Sequence, residues 1–459
     1  MTTRAHRTEY ENCGLTRTRV TCSPLSVQLR GLIPHHRRDE LRELIHRSHQ
    51  VVLVAALIGA GTGFFVAALD WLVVDQLFDR ALRAPLGVLA FLPLCGLLVG
   101  LLARRTIGGG VNSSTADEYL HAFHERHHEL PWRPFAARIV AAIATVGSGA
   151  PMGLEGPALY TGATIGSNVQ RHFPRVFKGS ERRVLLVAGA AAGVAAIFKA
   201  PATGAVFALE VPYQDDLARR MLLPALTAGA CGYLSFVLVN GMDPLFPVNG
   251  SVALAWRDLL GAAAIGVIAG IGARAFAWLL RRAKDVAATR PPLPTTVLAG
   301  LSLALMFALG RLLTGQSLMY GSGYAVVAWA AEPGHSISVM LAILTLRCLA
   351  TSVSVAGGGA GGLFIPLVVG GALTGSVIGG AVNRGDLTLF IVIGVAAFLG
   401  AGYRVPLAAV MFVAETTGRP SFIVPGLMAA VAAELMMGRS SVTRYQRPWQ
   451  PLPGPARGT

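Results

Sequence analysis

The sequence predicts an all-α, polytopic integral membrane protein with a duplicated half, and three observations carry that expectation. The first is composition: of 459 residues, 53% are hydrophobic and only 14% charged, with a mean hydropathy of +0.56. A soluble globular protein carries roughly 25% charged residues, so this chain lacks the polar material to cover a water-facing surface. The second is a long series of apolar stretches, several of them shorter than a perpendicular span of about 20 residues and cut by Gly or Pro. The third is an internal repeat, offset by 205 to 209 residues. Together these exclude an ordinary cytosolic enzyme and any disordered or fibrous class. The net charge of +15 reflects 39 Lys+Arg against only 24 Asp+Glu. Nucleic-acid binders are charge-rich, so no nucleic-acid partner is expected, and basic loops flanking membrane spans account for the excess.

Residues 1–50 hold nine Arg, from Arg4 to Arg47, and five His. They contain no apolar core, which excludes a cleaved secretory signal. The first long apolar run extends from Val51 to Val74, broken only by Asp70 and a few small residues. A basic segment before the first span predicts a cytoplasmic N-terminus. Arg439, Arg444, Arg447 and Arg457 make the C-terminal segment basic as well. Both ends are therefore expected inside a bacterial plasma membrane, with an even number of crossings. Between them, apolar stretches recur at about 85–103, 134–150, 157–170, 184–211, 221–241, 252–280, 294–313, 337–356, 362–382, 388–402, 405–416 and 421–437. Breaks in such helices are tolerated only where the freed backbone is buried in protein or lines an aqueous cavity, which points to a transporter or channel rather than a receptor bundle. The expected organisation is a basic segment at 1–50, a first membrane repeat at 51–245, a second at 246–440 and a short cytoplasmic tail at 441–459. Cys13, Cys22, Cys95, Cys231 and Cys348 match no zinc or disulfide spacing. A Cys13–Cys22 pair runs against flanking charge that points to a reducing compartment.

Two blocks carry the repeat. Gly189–Glu210 reads GAAAGVAAIFKAPATGAVFALE and Gly394–Glu415 reads GVAAFLGAGYRVPLAAVMFVAE. Each centres on an aromatic-basic-x-Pro core, Phe198-Lys199-Ala200-Pro201 and Tyr403-Arg404-Val405-Pro406, with a Gly 12 residues before the Pro and a Glu 9 after it. The second block is GLEGP at 153–157 and GLFIP at 362–366, each followed after four residues by GAxxGS. A duplicated half with broken helices is the pattern of repeat-built transporters, whose sites lie at the repeat interface. GLEGP and GLFIP place glycines and a Pro where a helix can begin. Helix starts offer unpaired N–H groups and about half a positive charge, so two converging starts would bind an anion without a full cation. The simpler reading is that these glycines only permit close helix packing.

Glu155 sharpens the first reading. A carboxylate within a membrane segment costs at least ~2.5 kcal/mol on insertion scales and is a functional candidate by default. Beside anion-binding N–H groups it can compete for their site and leave on protonation, as a gate or proton carrier does. Its counterpart Phe364 is apolar, which makes the site asymmetric. Glu210 and Glu415 are equivalent residues at the ends of apolar helices and read as structural, capping or pairing with Lys199 or Arg404 of nearby turns; Glu434 reads as the same kind of residue. His121, His124, His127 and His128 form a cluster flanked by Asp117, Glu118, Glu125, Arg126 and Glu129. Those flanks read as a solvated loop, and no metal or other cofactor is expected.

At GLEGP, GLFIP and the two Pro-centred helices the sequence resembles the CLC chloride channels and transporters, from about residue 50 to residue 440. The resemblance implies two inverted-topology repeats, a homodimer in the lipid bilayer, and a separate anion pathway in each subunit. It implies that Glu155 is the external gate. It also implies that backbone amides after Gly362, at Leu363, Phe364 and Ile365, cradle the central anion, facing Gly153, Leu154 and Gly156 of the other turn. Three departures qualify it. The family's GSGIP motif supplies an anion-contacting Ser, but Gly147-Ser148-Gly149-Ala150-Pro151 abuts GLEGP instead of preceding it by about 40 residues. Gly108-Gly109-Gly110-Val111-Asn112 stands at the right distance, so Gly109 takes the Ser position and the site there uses amides of Gly109 and Gly110 or help from Asn112. A pore-lining Tyr near the C-terminus has two contenders by different spacings, Tyr445 and Thr443. On the inner proton route, many proton-coupled members carry a Glu where this chain has Val211. That tilts the expectation towards uncoupled conduction, although some exchangers manage without that Glu. The segment after the last helix is also too short for the cytosolic nucleotide-sensing domains of some relatives.

The expected function is therefore transmembrane movement of a small inorganic anion, chloride first, either passively or as proton-coupled antiport. Fluoride-handling relatives depart at the same positions, which makes fluoride the runner-up. A different class, an intramembrane serine hydrolase built on Ser148, needs a base within hydrogen-bond reach. The later histidines, His172 and His335, both lie in polar surroundings, so the chain is not expected to be an enzyme.

Overall fold

The computed structural model describes residues 35–108, 114–125, 129–172, 183–243, 245–246, 256–382 and 387–448, with side chains from residue 49 and except residue 257. Two compact units are present, Met1–Gln50 and Val51–Thr459, and the second carries the membrane-spanning body. Among the described residues the regular structure is helical. The first half comprises α1 (His35–Asp70), α2 (Asp79–Leu82), α3 (Leu86–Ala103), α4 (Thr115–His124), α5 (Trp132–Gly147), α6 (Glu155–His172), α7 (Val184–Phe198), α8 (Pro201–Glu210) and α9 (Leu222–Asn240). The second comprises α10 (Trp256–Thr289), α11 (Pro292–Thr314), α12 (Tyr324–Ala331), α13 (Ile337–Ala356), α14 (Phe364–Ala381), α15 (Thr388–Tyr403), α16 (Pro406–Thr417) and α17 (Ile423–Met437).

The two series correspond in order. Long α1 matches long α10, the short buried α4 matches α12, and α6–α9 match α14–α17, with a single 3-10 turn before α9 and before α17. Eight stretches among the described residues are long and apolar enough to cross a membrane, while α7, α15 and α16 are apolar but shorter. This is a multi-pass membrane protein with short, broken helices at its centre. The stretch at 184–211, apolar throughout, is not one helix. Lys199 closes α7 in the left-handed region (φ 52) and Arg404 closes α15 in the same way (φ 58). In each case a Pro two residues on opens the next helix at its first position, where its missing N–H costs nothing. The repeated aromatic-basic-x-Pro core is thus a repeated helix break.

The duplicated glycines divide into two roles. A Cβ on Gly162 would run into the Gly189 carbonyl, and one on Gly371 into that of Gly394. These four positions let α6 lie against α7 and α14 against α15 at backbone contact, which is the packing role. At the two GLxxP turns, by contrast, Gly153 and Gly362 pair with each other. The Gly153 N–H donates to the Gly362 carbonyl at 3.1 Å, and the Gly362 N–H returns the bond at 2.7 Å, in antiparallel sense. Equivalent residues that pair antiparallel are related by a local two-fold axis, as two inverted repeats require.

One expectation is corrected. Asp117 and Glu118 do not lie in a solvated loop: α4 is a helix with Asp117 wholly buried and Glu118 8% exposed. Its start is capped by the Ser114 hydroxyl, which accepts from the Asp117 N–H at 3.3 Å, a favourable helix opening. The acids survive burial because distant cations reach them. Lys284 Nζ donates to Asp117 at 2.6 Å and Arg138 pairs with Glu118 at 2.8 Å. Sequence neighbours alone suggested exposure; the partners come from 167 and 20 residues away.

Candidate functional site

The α6 and α14 starts meet where Gly153 and Gly362 pair, and this places Glu155 on the opposite repeat. One Glu155 carboxylate oxygen accepts from the Phe364 N–H at 2.7 Å and from the Ile365 N–H at 3.0 Å. Glu155 is 4% exposed. A buried carboxylate is tolerable when hydrogen-bonded, and here the N-terminus of α14, with its partial positive charge, supplies the donors. The amide seat read in GLFIP holds an anion, namely the carboxylate read in GLEGP.

Glycine is required around that carboxylate. A Cβ on Gly153 would collide with one Glu155 oxygen and a Cβ on Gly362 with the carboxyl carbon and the other oxygen; on Gly156 it would meet Thr115 and the Gly362 backbone. Gly362→Ala is therefore expected to force the Glu155 side chain off the Phe364 and Ile365 amides. The cost is in the overpacking range of about 1–3 kcal/mol, and pH-dependence of anion binding is lost. Titration of chloride binding at several pH values checks this, and a variant with parental pH-dependence contradicts it.

The other sequence candidates are distributed as follows. Gly109, Gly110 and Asn112 lie outside the described residues, as do His127 and His128. Leu154 and Leu363 flank the seat, Leu154 accepting the Ala158 N–H at 2.8 Å and Leu363 the Leu367 N–H at 3.2 Å. Val211 ends α8, 1% exposed. Thr443 is bonded to Ser441 at 2.9 Å, and Tyr445 stacks on His121 at 4.6 Å. Tyr445 thus ties the C-terminal segment down near α4, Thr443 bonds within that segment, and these contacts are not with the Glu155 seat. Tyr403 lies beside the seat instead, its ring 6.2 Å from that of Phe364.

Three groups at the seat escaped the sequence reading. The Thr115 hydroxyl, at the α4 start, abuts Gly156; it is 1% exposed and has no hydrogen-bond partner among the described residues. Tyr403 was visible only as the aromatic of a helix break. The third is an aromatic cluster closing the inner side of α14: Phe198 lies 4.2 Å from Phe364, Phe412 4.9 Å and Phe207 5.5 Å, ring to ring. The repeated aromatic before Lys199 and Arg404 was the available signal for two of these residues.

The remaining acids cap helices across the repeat boundary. Glu415 accepts from the Ala202 and Thr203 N–H groups at 2.9 and 2.7 Å, opening α8, and Glu210 accepts from those of Leu407 and Ala408 at 3.1 and 2.8 Å, opening α16. Capping was expected, but each Glu caps the other repeat's helix. Lys199 instead reaches the Asn240 and Asp243 carbonyls, and Arg404 pairs with Asp215 and Glu434 at 3.0 and 2.9 Å. Ser148 donates to the Thr145 carbonyl at 3.0 Å, while His172 contacts the Asn168 carbonyl and His335 pairs with Glu332.

A family model described as voltage gated chloride channel matches residues 95–438. This chain belongs to that family. Curated relatives include the H(+)/Cl(-) exchange transporter ClcA of Citrobacter koseri, 27% identical over 426 residues, covering 87% of this chain and 88% of the relative. That of Salmonella newport is 27% identical over 428 residues with the same coverage. Among solved structures, a CLC-type fluoride/proton antiporter superposes with a TM-score of 0.76 at 23% identity, over 87% of this chain and 98% of that one. A slow cyanobacterial Cl-/H+ antiporter gives 0.73 at 20% identity, over 84% and 94%. These two likenesses establish the fold. The GLEGP and GLFIP turns, on which the sequence resemblance rests, are the two segments that pair at Gly153 and Gly362.

Proposed function

We propose that this protein moves a small inorganic anion, chloride in the first place, across the membrane along a pathway in each subunit of a homodimer, with Glu155 as the gate. The observation that carries this reading is the carboxylate seated on the Phe364 and Ile365 amides. A group of N–H donors that binds one anion binds another of similar size when the first leaves, and helix starts supply them with no Arg or Lys. The gate is open when the Glu155 side chain has left the seat and closed when it occupies it. Gly153, Leu154 and Gly156 shape one side of the seat and Leu363, Phe364 and Ile365 the other. Hydroxyls of Thr115 and Tyr403 complete it, in place of the Ser absent at Gly109. The repeats run over 51–245 and 246–440, with both basic ends on the cytoplasmic face of a bacterial plasma membrane.

Proton-coupled antiport is the second reading, favoured by Glu155 itself: a carboxylate that must leave an anion seat does so most readily when protonated, and so carries a proton as it moves. The curated relatives carry exchanger names. Val211, apolar at the inner position, favours the passive form. Purified protein in liposomes decides. It is expected to release chloride down its gradient, and uphill proton movement driven by a chloride gradient establishes exchange. Parallel fluoride release at least as fast identifies fluoride as the better substrate, and the absence of any anion flux rejects the function while leaving the fold intact.

Thr115→Val removes the proposed hydroxyl donor and keeps the shape. Losing one hydrogen bond to an anion is worth about 1.5–3 kcal/mol, so chloride binding is expected to weaken roughly tenfold or more with thermal stability unchanged. Unaltered affinity places Thr115 outside the pathway.

A further inference from the structure

A second cationic site lies apart from the Glu155 seat. A cavity of about 140 Å³ opens between the end of α3, the end of α10 and the start of α11, lined by Arg104, Arg105, Arg290, Thr295, Thr296 and the Gly357–Gly358 turn. By volume it holds roughly five waters. No carboxylate lines it, and neither Arg105 nor Arg290 makes an ion pair with a described residue. Arg104 is 8% exposed. Its guanidinium donates to the Gly100 carbonyl at 3.2 Å and to the Gly358 carbonyl, while its remaining terminal nitrogen is buried without a hydrogen-bond partner. Thr296 donates to the Gly357 carbonyl at 3.0 Å. Three like charges around one cavity repel one another, and a buried guanidinium N–H left unpaired carries a desolvation penalty. A multivalent anion relieves both.

We propose that this cavity binds a phosphate group. Arg favours phosphate because its planar fork of donors matches the phosphate oxygens two at a time. The start of the 23-residue α11, at Pro292, adds the positive end of a helix to the same cavity. The site shares its wall with the seat's own loop: Arg104 and Thr296 hold Gly358 and Gly357, four and five residues before Gly362. A bound phosphate draws the Arg104 side chain into the cavity and thereby acts on that turn. Two sources offer this chemistry, the headgroup of an anionic phospholipid and free phosphate.

The test uses full-length protein in phosphatidylcholine nanodiscs at constant ionic strength and chloride. One arm titrates inorganic phosphate, the other replaces part of the lipid with phosphatidylglycerol, and thermal unfolding is followed in both. The midpoint is expected to rise in at least one arm. A rise with phosphatidylglycerol alone identifies the lipid as the source, and a rise with inorganic phosphate identifies the free ion. The double variant Arg105→Gln/Arg290→Gln, at two exposed positions, is expected to weaken the stabilising ligand at least tenfold while anion flux persists. Glu155→Gln is expected to keep the parental response, which separates this site from the anion pathway. No rise in either arm, or a rise undiminished in the double variant, overturns the proposal.

Discussion

Glu155→Gln is expected to tighten chloride binding about tenfold, to remove its dependence on pH and to abolish any proton movement coupled to anion flux. In the parent, the carboxylate holds the Phe364 and Ile365 N–H groups at 2.7 and 3.0 Å, and a chloride ion must displace it. Hydrogen bonds to a charged acceptor are worth about 1.5–3 kcal/mol each, against about 0.5–1.5 for a neutral one. Gln keeps the shape and an acceptor oxygen but loses the charge, so the competitor weakens by about 1–2 kcal/mol, or roughly tenfold in occupancy. The sign with pH follows from the same competition. Protonating Glu155 discharges the competitor, so parental chloride binding strengthens as pH falls, while the variant has nothing to titrate and stays flat. Isothermal titration with chloride at several pH values measures the first two effects, and proton uptake by proteoliposomes under a chloride gradient measures the third. A variant with parental pH-dependence removes Glu155 from the role of gate.

Asp117→Ala is expected to destabilise the protein by about 3–5 kcal/mol, the usual cost of leaving one member of a buried ion pair alone. Asp117 has no exposed surface and receives Lys284 Nζ at 2.6 Å and the Arg444 N–H at 3.0 Å. Lys284 is 4% exposed and otherwise, among the described residues, donates to the Val442 carbonyl at 2.8 Å. This one carboxylate joins α4, α10 and the segment after α17, so its loss is expected to free that segment as well as strand a cation. The companion Asp117→Ala/Lys284→Met double variant removes both charges, and replacing a buried pair by apolar groups is often neutral. It is expected to recover most of the loss. Unfolding in detergent under increasing denaturant checks both, and a single variant as stable as the parent shows that the pair is not a structural tie.

The two acids at 117 and 118 also show where a reading from sequence stops. Charge next to charge in a His-rich stretch is the pattern of a solvated segment, and nothing local signals that Lys284 and Arg138 lie in wait. Tyr403 shows the same limit. Its place before a basic residue and a Pro says nothing of a partner, and only packing brings its ring to that of Phe364 while Tyr445 stacks on His121. The glycines were legible as duplicates but not as two populations. Gly162, Gly189, Gly371 and Gly394 bring helices together, whereas Gly153 and Gly362 leave room for a carboxylate.

The sequence by itself determined the membrane class, the duplication and the candidacy of Glu155. These rest on composition and on signals within a few residues: apolar runs, a motif that recurs at near-constant spacing, an acid where acids are costly. The tertiary structure alone decided that the GLEGP and GLFIP turns, 209 residues apart, pair antiparallel. It likewise decided that the carboxylate of one repeat occupies the amides of the other. Such contacts join segments whose local chemistry is complete without them, and only the folding of two inverted halves against each other brings donor and acceptor within reach.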